Sequence, residues 1–227
     1  GAGETRPVRI TCTDFSPDEV HVETVADVDE FVARHRPAGT VVRWINIDGL
    51  TDMHVLGALS RKYNLHPLVV EDLVQLGQRP KVEDYPATGE HQARLFIIGR
   101  MLELCEGHVR SEQIGLVLGH NTLLTFQEEP GDVWDPIRQR IASKGSRLRE
   151  NDVSFLIYSL LDALVDAGVD PTTLSWELGH LDDGLLRKGA GPANLPQIER
   201  LLERYVRRGW RTMGGAPPVT NISCPVV

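Results

Sequence analysis

The rhythm of apolar and polar positions changes most sharply near residue 150. Up to about residue 130 apolar residues sit mainly in short runs with a period of two, and after Asn151 they recur at three and four, the spacing of one helix face. Val8-Arg9-Ile10-Thr11-Cys12 alternates as a strand, Ser16-Pro17-Asp18-Glu19 reads as a turn, and Val20-His21-Val22-Glu23-Thr24-Val25 as a second strand. Residues 27–35 suit a short helix closed by Pro37 and Gly39. Residues 40–47 are a β-branched run, fit for a buried strand, that stops at the turn dipeptide Asp48-Gly49. Helical spacing returns at Met53, Leu56, Leu59 and Ser60 and lasts to Tyr63; His66-Pro67 opens another helix, with proline tolerated in its first turn, and Gly77 ends it. Residues 94–104, 113–118 and 122–127 read as three strands with tight connections at Glu106-Gly107-His108 and Gly119-His120-Asn121.

From Asn151 onward Val153, Leu156, Ile157, Leu160, Leu161, Leu164 and Val165 trace an amphipathic helix. Asp170-Pro171 interrupts or kinks it, helix resumes over 174–186, and a Gly/Pro loop over 188–196 leads to a second apolar stripe at Ile198, Leu201, Leu202, Tyr205 and Val206. Two such helices joined by a loop form an antiparallel hairpin. The fold expected is therefore α/β: a mixed sheet flanked by helices (α/β/α) over residues 1–150, a helical hairpin appended over 151–210, and a loose tail over 211–227, where Gly214-Gly215-Ala216-Pro217-Pro218 breaks helix.

Composition narrows the function. A chain of 227 residues with 41% hydrophobic and 25% charged residues folds as an ordinary globular protein. Its net charge of −8 argues against a nucleic-acid partner, which requires a basic face, and is compatible with a cation. Cys12, Cys105 and Cys224 form neither a disulfide framework nor a CxxC pair, and a reducing cytoplasm is the simplest setting. Gly1-Ala2-Gly3-Glu4 has no basic-then-apolar leader, and no apolar run reaches the roughly 20 residues of a membrane helix. Asn221-Ile222-Ser223 matches a glycosylation sequon by chance in such a setting.

Enzyme signatures fail one by one. The eight histidines form no HExxH and no pair with a nearby cysteine, and there is no GxSxG elbow. Lys144-Gly145-Ser146 lacks the order of a phosphate-cradling P-loop, and Gly189-Ala190-Gly191 lies between helices rather than after a strand. No catalytic activity is expected.

Carboxylates remain. Glu71-Asp72 is an adjacent acid pair on a short helix, and Asp162, Asp166 and Asp170 stand at i, i+4 and i+8 on the long one. Like charges at that spacing repel, and a hard cation relieves the repulsion; Mg2+ keeps most of its waters and needs only one or two protein carboxylates. The competing reading is a solvated helix face with Arg79 or Lys81 balancing the pair.

Read as words, the segments carry more. Trp44-Ile45-Asn46-Ile47-Asp48-Gly49-Leu50 resembles the strand-and-turn signature of the CorA magnesium transporters. Leu65-His66-Pro67-Leu68-Val69-Val70-Glu71-Asp72-Leu73, followed by Gln78-Arg79-Pro80-Lys81-Val82-Glu83, resembles the family's most distinctive stretch. Leu124-Thr125-Phe126-Gln127-Glu128, Gly131-Asp132-Val133-Trp134-Asp135-Pro136-Ile137-Arg138 and Tyr158-Ser159-Leu160-Leu161-Asp162-Ala163-Leu164-Val165-Asp166 continue the resemblance in order.

The resemblance implies the N-terminal, regulatory domain of a divalent-cation transporter at the cytoplasmic face of the cell membrane, sensing Mg2+, or Co2+ or another divalent cation, that is weakly bound. Its partners would be copies of the same chain, a pentamer in the family. By motif, Glu71, Asp72 and Asp162 fall on the family's sensing carboxylates.

Departures accompany the match. Residues 86–92 look like an insertion, Gly168, Asp170-Pro171 and Gly179 interrupt an expected helix, and Met213-Gly214-Gly215 is not the Gly-Met-Asn pore signature. The expectation is a chain without stalk and pore, which meets the membrane only through the missing C-terminal part and lacks the stalk's acid. The alternatives are a stand-alone cation- or partner-binding protein of the same fold and the domain of a zinc-transporting relative.

Overall fold

The computed structural model describes residues 7–88, 92–105, 108–131 and 133–166. Two antiparallel strands come first, β1 (Arg9–Phe15) and β2 (Val20–Val25), then α1 (Val28–Ala33), whose first turn is capped by the Asp27 carboxylate accepting from the Glu30 N–H. β3 (Val42–Asp48), α2 (Met53–Tyr63), α3 (Pro67–Val74) and β4 (Lys81–Tyr85) follow. A long meander of β5 (Arg94–Cys105), β6 (His108–Leu118) and β7 (Thr122–Gln127) leads to α4 (Asp135–Ala142) and α5 (Val153–Asp166).

The strands make one seven-stranded sheet in the order β2-β1-β3-β7-β6-β5-β4. Every neighbouring pair is antiparallel except β3 and β7, which run parallel from Arg43 beside Thr122 to Asp48 beside Gln127. The sheet is therefore mixed, and strand alternation sorts its side chains into two apolar layers. Ile45, Ile47, Phe96, Val117, Leu124 and Phe126 point to the side covered by α1, α2 and α3. Val42, Trp44, Leu95, Ile97, Leu116 and Leu123 point to the side covered by α4 and α5. This is the expected α/β/α sandwich.

The expected division at residue 150 falls between α4 and α5, two helices that share one apolar cluster; Val153, Leu156, Ile157, Leu160, Leu161 and Leu164 all pack there. The second helix of the hairpin and the tail lie outside the described residues. Among the described residues no helix is long and apolar enough to cross a membrane.

Two buried polar groupings mark the sheet's faces. Trp44, Asn46 and Asp48 alternate onto the α4/α5 side, where the indole Nε1 donates to Thr125 Oγ1 (2.9 Å), that hydroxyl donates to Asn46 Oδ1 (2.8 Å), and Asn46 Nδ2 donates to Asp48 Oδ1 (2.8 Å). The chain of bonds ties β3 to β7 across the parallel pair. On the other side the Arg43 guanidinium grips the Asp14 carboxylate.

Beside that pair lies Cys12. Burial, then the neighbouring Asp14 charge, pushes its thiol up to about 12. Such a thiol is thiolate in about one molecule in ten thousand at pH 8, against about a quarter for an ordinary one. Peptide mapping after iodoacetamide treatment at pH 8 is expected to find Cys12 unmodified in the folded chain and modified in urea. Labelling of Cys12 without urea would show that this layer opens readily.

Candidate cation site

α3 begins where His66 Nδ1 accepts from the Leu68 N–H (3.2 Å), with Pro67 at its first position. Val69 and Leu73 turn inward at helical spacing and are buried, which leaves Glu71 exposed and Asp72 half-buried at the side. The helix is seated on β6 by two residues. Gln113 is buried, and its Nε2 donates to the carbonyls of Asp72 (3.2 Å) and Leu73 (3.4 Å) while its Oε1 accepts from the Gln78 N–H (3.1 Å). Two residues along, Gly115 has no side chain where a Cβ would stand 2.3 Å from Leu73 Cδ2. Gln113 thus supplies partners for the carbonyls that any helix leaves open at its C-terminal end, and Gly115 permits the close approach.

Asp72 faces β4. Its Oδ2 lies 2.6 Å from Lys81 Nζ, and its Oδ1 accepts from Gln78 Nε2 at 3.1 Å. Lys81 also reaches Glu83 Oε1 (2.9 Å) and stands 5.8 Å from the centroid of the Phe96 ring, and Tyr85 donates its hydroxyl to Glu83 Oε2 (2.6 Å). Residues 81, 83 and 85 share one face of β4 because a strand alternates, so the helix acid, the ammonium, the strand acid and the phenol form one line.

Burial draws the Lys81 pKa down, but hydrogen bonds to Asp72 and Glu83 outweigh it and hold the group above its usual value. Burial likewise pushes Glu83 up, and the bonds from Tyr85 and Lys81 bring it below the usual carboxylate range. Burial and the Glu83 bond both raise Tyr85. Lys81 is thus a cation, and of the two residues named to balance the acid pair it is the one that does so, at Asp72.

Asp162 sits on α5, half-buried, in the opposite layer. The sheet separates it from Glu71 and Asp72, so the structure brings the adjacent pair together on α3 and keeps Asp162 apart from it. Asp166 is the last residue of α5, and Asp170 lies outside the described residues. Among the described residues no group of three or more histidines, cysteines or acids is arranged to hold a metal ion. Sequence reading missed the Glu83–Tyr85 arm, because it assigned no strand to residues 81–85. It also missed Gln113, whose only signal is an amide at the head of the apolar run over 114–118.

Comparison with known proteins gives a family match. The model of a family described as "CorA-like Mg2+ transporter protein" matches residues 39–205. The chain is 36% identical over 159 residues to the cobalt/magnesium transport protein CorA of Thermotoga maritima, a match that covers 69% of this chain and 43% of that protein. It therefore spans less than half the length of that relative.

Among solved structures, the ZntB cytoplasmic domain from Vibrio parahaemolyticus superposes with a TM-score of 0.63 at 12% identity, covering 92% of each chain. The soluble domain of CorA from Methanocaldococcus jannaschii superposes with a TM-score of 0.54 at 15% identity, covering 90% of this chain and 91% of that one. At such identities the two structures speak to the fold.

Proposed function

The chain belongs to the family of CorA-like Mg2+ transporter proteins, and from that premise we propose that it is the family's regulatory cation-sensing domain at the cytoplasmic face of the membrane. The observation that carries this reading is the placement of the acids. Glu71 and Asp72 lie on the α3 side of the sheet and Asp162 on the α5 side. Carboxylates on opposite faces of one chain meet only across a head-to-tail contact between two copies, the kind of interface that closes into a ring. A divalent cation held there joins neighbours, and its departure releases them.

The ligands are oxygen donors, which suit Mg2+ and, less selectively, Co2+; zinc favours histidine and cysteine. Likeness to the ZntB domain concerns fold and leaves that preference standing. Lys81 sets the threshold. Its ammonium already neutralises Asp72, so a cation displaces a bound charge rather than filling a bare acidic ridge, and weak binding follows. Since Mg2+ gives up its waters reluctantly, much of the contact runs through them.

A thermal melt tests the reading. At ten times the dissociation constant, Mg2+ is expected to add about 1.4 kcal/mol, from RT ln(1 + 10), which in a domain of this size raises the melting temperature by about 3–6 °C. Glu71→Gln with Asp72→Asn is expected to abolish the shift in buffers of matched ionic strength, since ordinary screening also relieves acidic clusters. A double variant that keeps the full Mg2+-specific shift would place the site elsewhere.

A further inference from the structure

A pocket of about 230 Å³ opens at the end of the sheet where β3 and β7 begin, the end opposite to the one where Gln113 holds α3. Its charged and titratable lining comes from four separate segments: Arg36 after α1, Lys62 at the end of α2, Arg94 at the start of β5 and His120 before β7. No described aspartate or glutamate lines it, in a chain whose net charge is −8. Random placement of charge in an acidic protein does not favour such a set.

Among the described residues the donors there have no acceptor of matching charge. Arg94 is buried, and its guanidinium gives N–H groups to the carbonyls of Ala93 (2.9 Å) and Tyr63 (2.8 Å) and to Gln92 Oε1 (3.2 Å), all neutral oxygens. Burial draws its pKa down with nothing to counter it. Arg36 Nη2 donates to Thr122 Oγ1 (3.3 Å), while its Nη1 is buried with no partner among the described residues. Lys62 donates to the Arg34 carbonyl (3.2 Å). The contrast is Arg43, also on this side of the sheet, whose guanidinium is fully matched by Asp14. A buried guanidinium without a counter-charge is unfavourable unless an anion completes it, and the planar fork of arginine fits the oxygens of a phosphate.

We propose that this pocket binds a phosphate-type oxyanion, as free phosphate or as the phosphoryl end of a small phosphorylated molecule, with Arg36 and Arg94 as the principal donors. Its volume lies below the roughly 300–1,000 Å³ that drug-sized ligands occupy, so a small anion with its waters fills it. Several separate cations favour a dianion with many acceptors over chloride.

The test is a titration of the purified 227-residue chain with orthophosphate, in the absence of divalent cations and at ionic strength held constant with sodium chloride. The 31P line width and the melting temperature are both followed. A saturable change with phosphate is expected, and Arg36→Gln is expected to weaken it at least tenfold. Arg94 is built into the fold, so Lys62→Gln is the second variant, expected to weaken binding severalfold. Arg140→Gln on α4 is the control that leaves binding intact. ADP in place of orthophosphate identifies the source: tighter binding of ADP means a phosphoryl group carried on a larger molecule, and tighter binding of orthophosphate means the free ion. A phosphate effect that chloride reproduces, one that never saturates, or wild-type affinity in the Arg36→Gln chain would overturn the proposal.

Discussion

Arg43→Ala is expected to cost about 3–5 kcal/mol of stability, the range for breaking a buried ion pair from one side. The guanidinium meets Asp14 through two parallel bonds, Nε to Oδ1 at 2.7 Å and Nη2 to Oδ2 at 2.6 Å, with side chains only 6% and 3% exposed. Nη1 adds a bond to the Tyr63 hydroxyl at 3.4 Å, and the group lies 5.6 Å from the centroid of the Phe31 ring. Burial acts to lower the Arg43 pKa, yet the Asp14 bond and its neighbours raise it above the ordinary value, so the pair holds its charge. Alanine leaves a carboxylate on the inner face of β1 with no cation.

Against a total of about 5–15 kcal/mol for a domain, urea midpoints are expected to fall by about a fifth or more. Arg43→Met combined with Asp14→Leu is expected to recover most of the loss, since apolar replacement of a whole buried pair is often neutral. An Arg43→Ala chain within about 1 kcal/mol of wild type would mean that water reaches Asp14, since exposed pairs are worth only about that much.

Gly115→Ala carries the second large effect, and its sign is informative. Glycine inside a strand ordinarily costs about 0.5–1 kcal/mol relative to alanine, so the substitution usually stabilises. Here the new methyl would stand 2.3 Å from Leu73 Cδ2, on a leucine that is itself 1% exposed. Forcing atoms into a filled core costs about 1–3 kcal/mol, and α3 has to lift or Leu73 has to leave its rotamer. Leu73→Ala alone costs about 2–5 kcal/mol through the cavity it leaves. The double variant is expected to fall short of the sum by about 0.5–3 kcal/mol, because each change relieves the other. Additive losses would show that Gly115 and Leu73 do not meet. Because α3 carries Glu71 and Asp72, Gly115→Ala is also expected to weaken the Mg2+-dependent thermal shift.

The parts of the fold that could be read from the sequence are those whose β-branched runs or helical apolar spacing stand between clear turn residues. Residues 20–25 and 122–127 were expected as strands and a helix was expected from Met53 to Tyr63, and β2, β7 and α2 occupy those spans. β4 was illegible because its patterned face is polar. Lys81, Glu83 and Tyr85 turn toward an acidic helix and satisfy one another, so an edge strand reads as a loop. α4 was missed for a related reason: only Ile137 and Ile141 of its eight residues are buried apolar positions.

The words that carried the family resemblance acquire physical causes. Trp44, Asn46 and Asp48 alternate because they form one buried hydrogen-bonded line with Thr125. The Glu71-Asp72 pair looks symmetrical in the sequence. Its two members diverge because successive residues turn about 100° around a helix axis, as 3.6 residues per turn require, which leaves Glu71 in solvent and brings Asp72 to Lys81. That Asp162 stands across the sheet from them depends on which side each connection packs, which no local spacing encodes. The pocket proposed for a phosphate-type anion is harder still, since Arg36, Lys62, Arg94 and His120 come from four separate segments of the chain.

Sedimentation velocity on mixed variants tests the shared cation site most directly. In MgCl2 the wild-type chain is expected to sediment as assemblies larger than a monomer, and in sodium chloride of equal ionic strength as a monomer. Glu71→Gln with Asp72→Asn removes one half of every contact and Asp162→Asn the other, so each variant alone is expected to remain monomeric in MgCl2. A one-to-one mixture rebuilds a single intact contact, with Glu71 and Asp72 from one chain and Asp162 from the other, and is expected to give dimers and nothing larger. A mixture that sediments as its two components do separately, or variants that assemble unaided as wild type does, would contradict a site shared between copies.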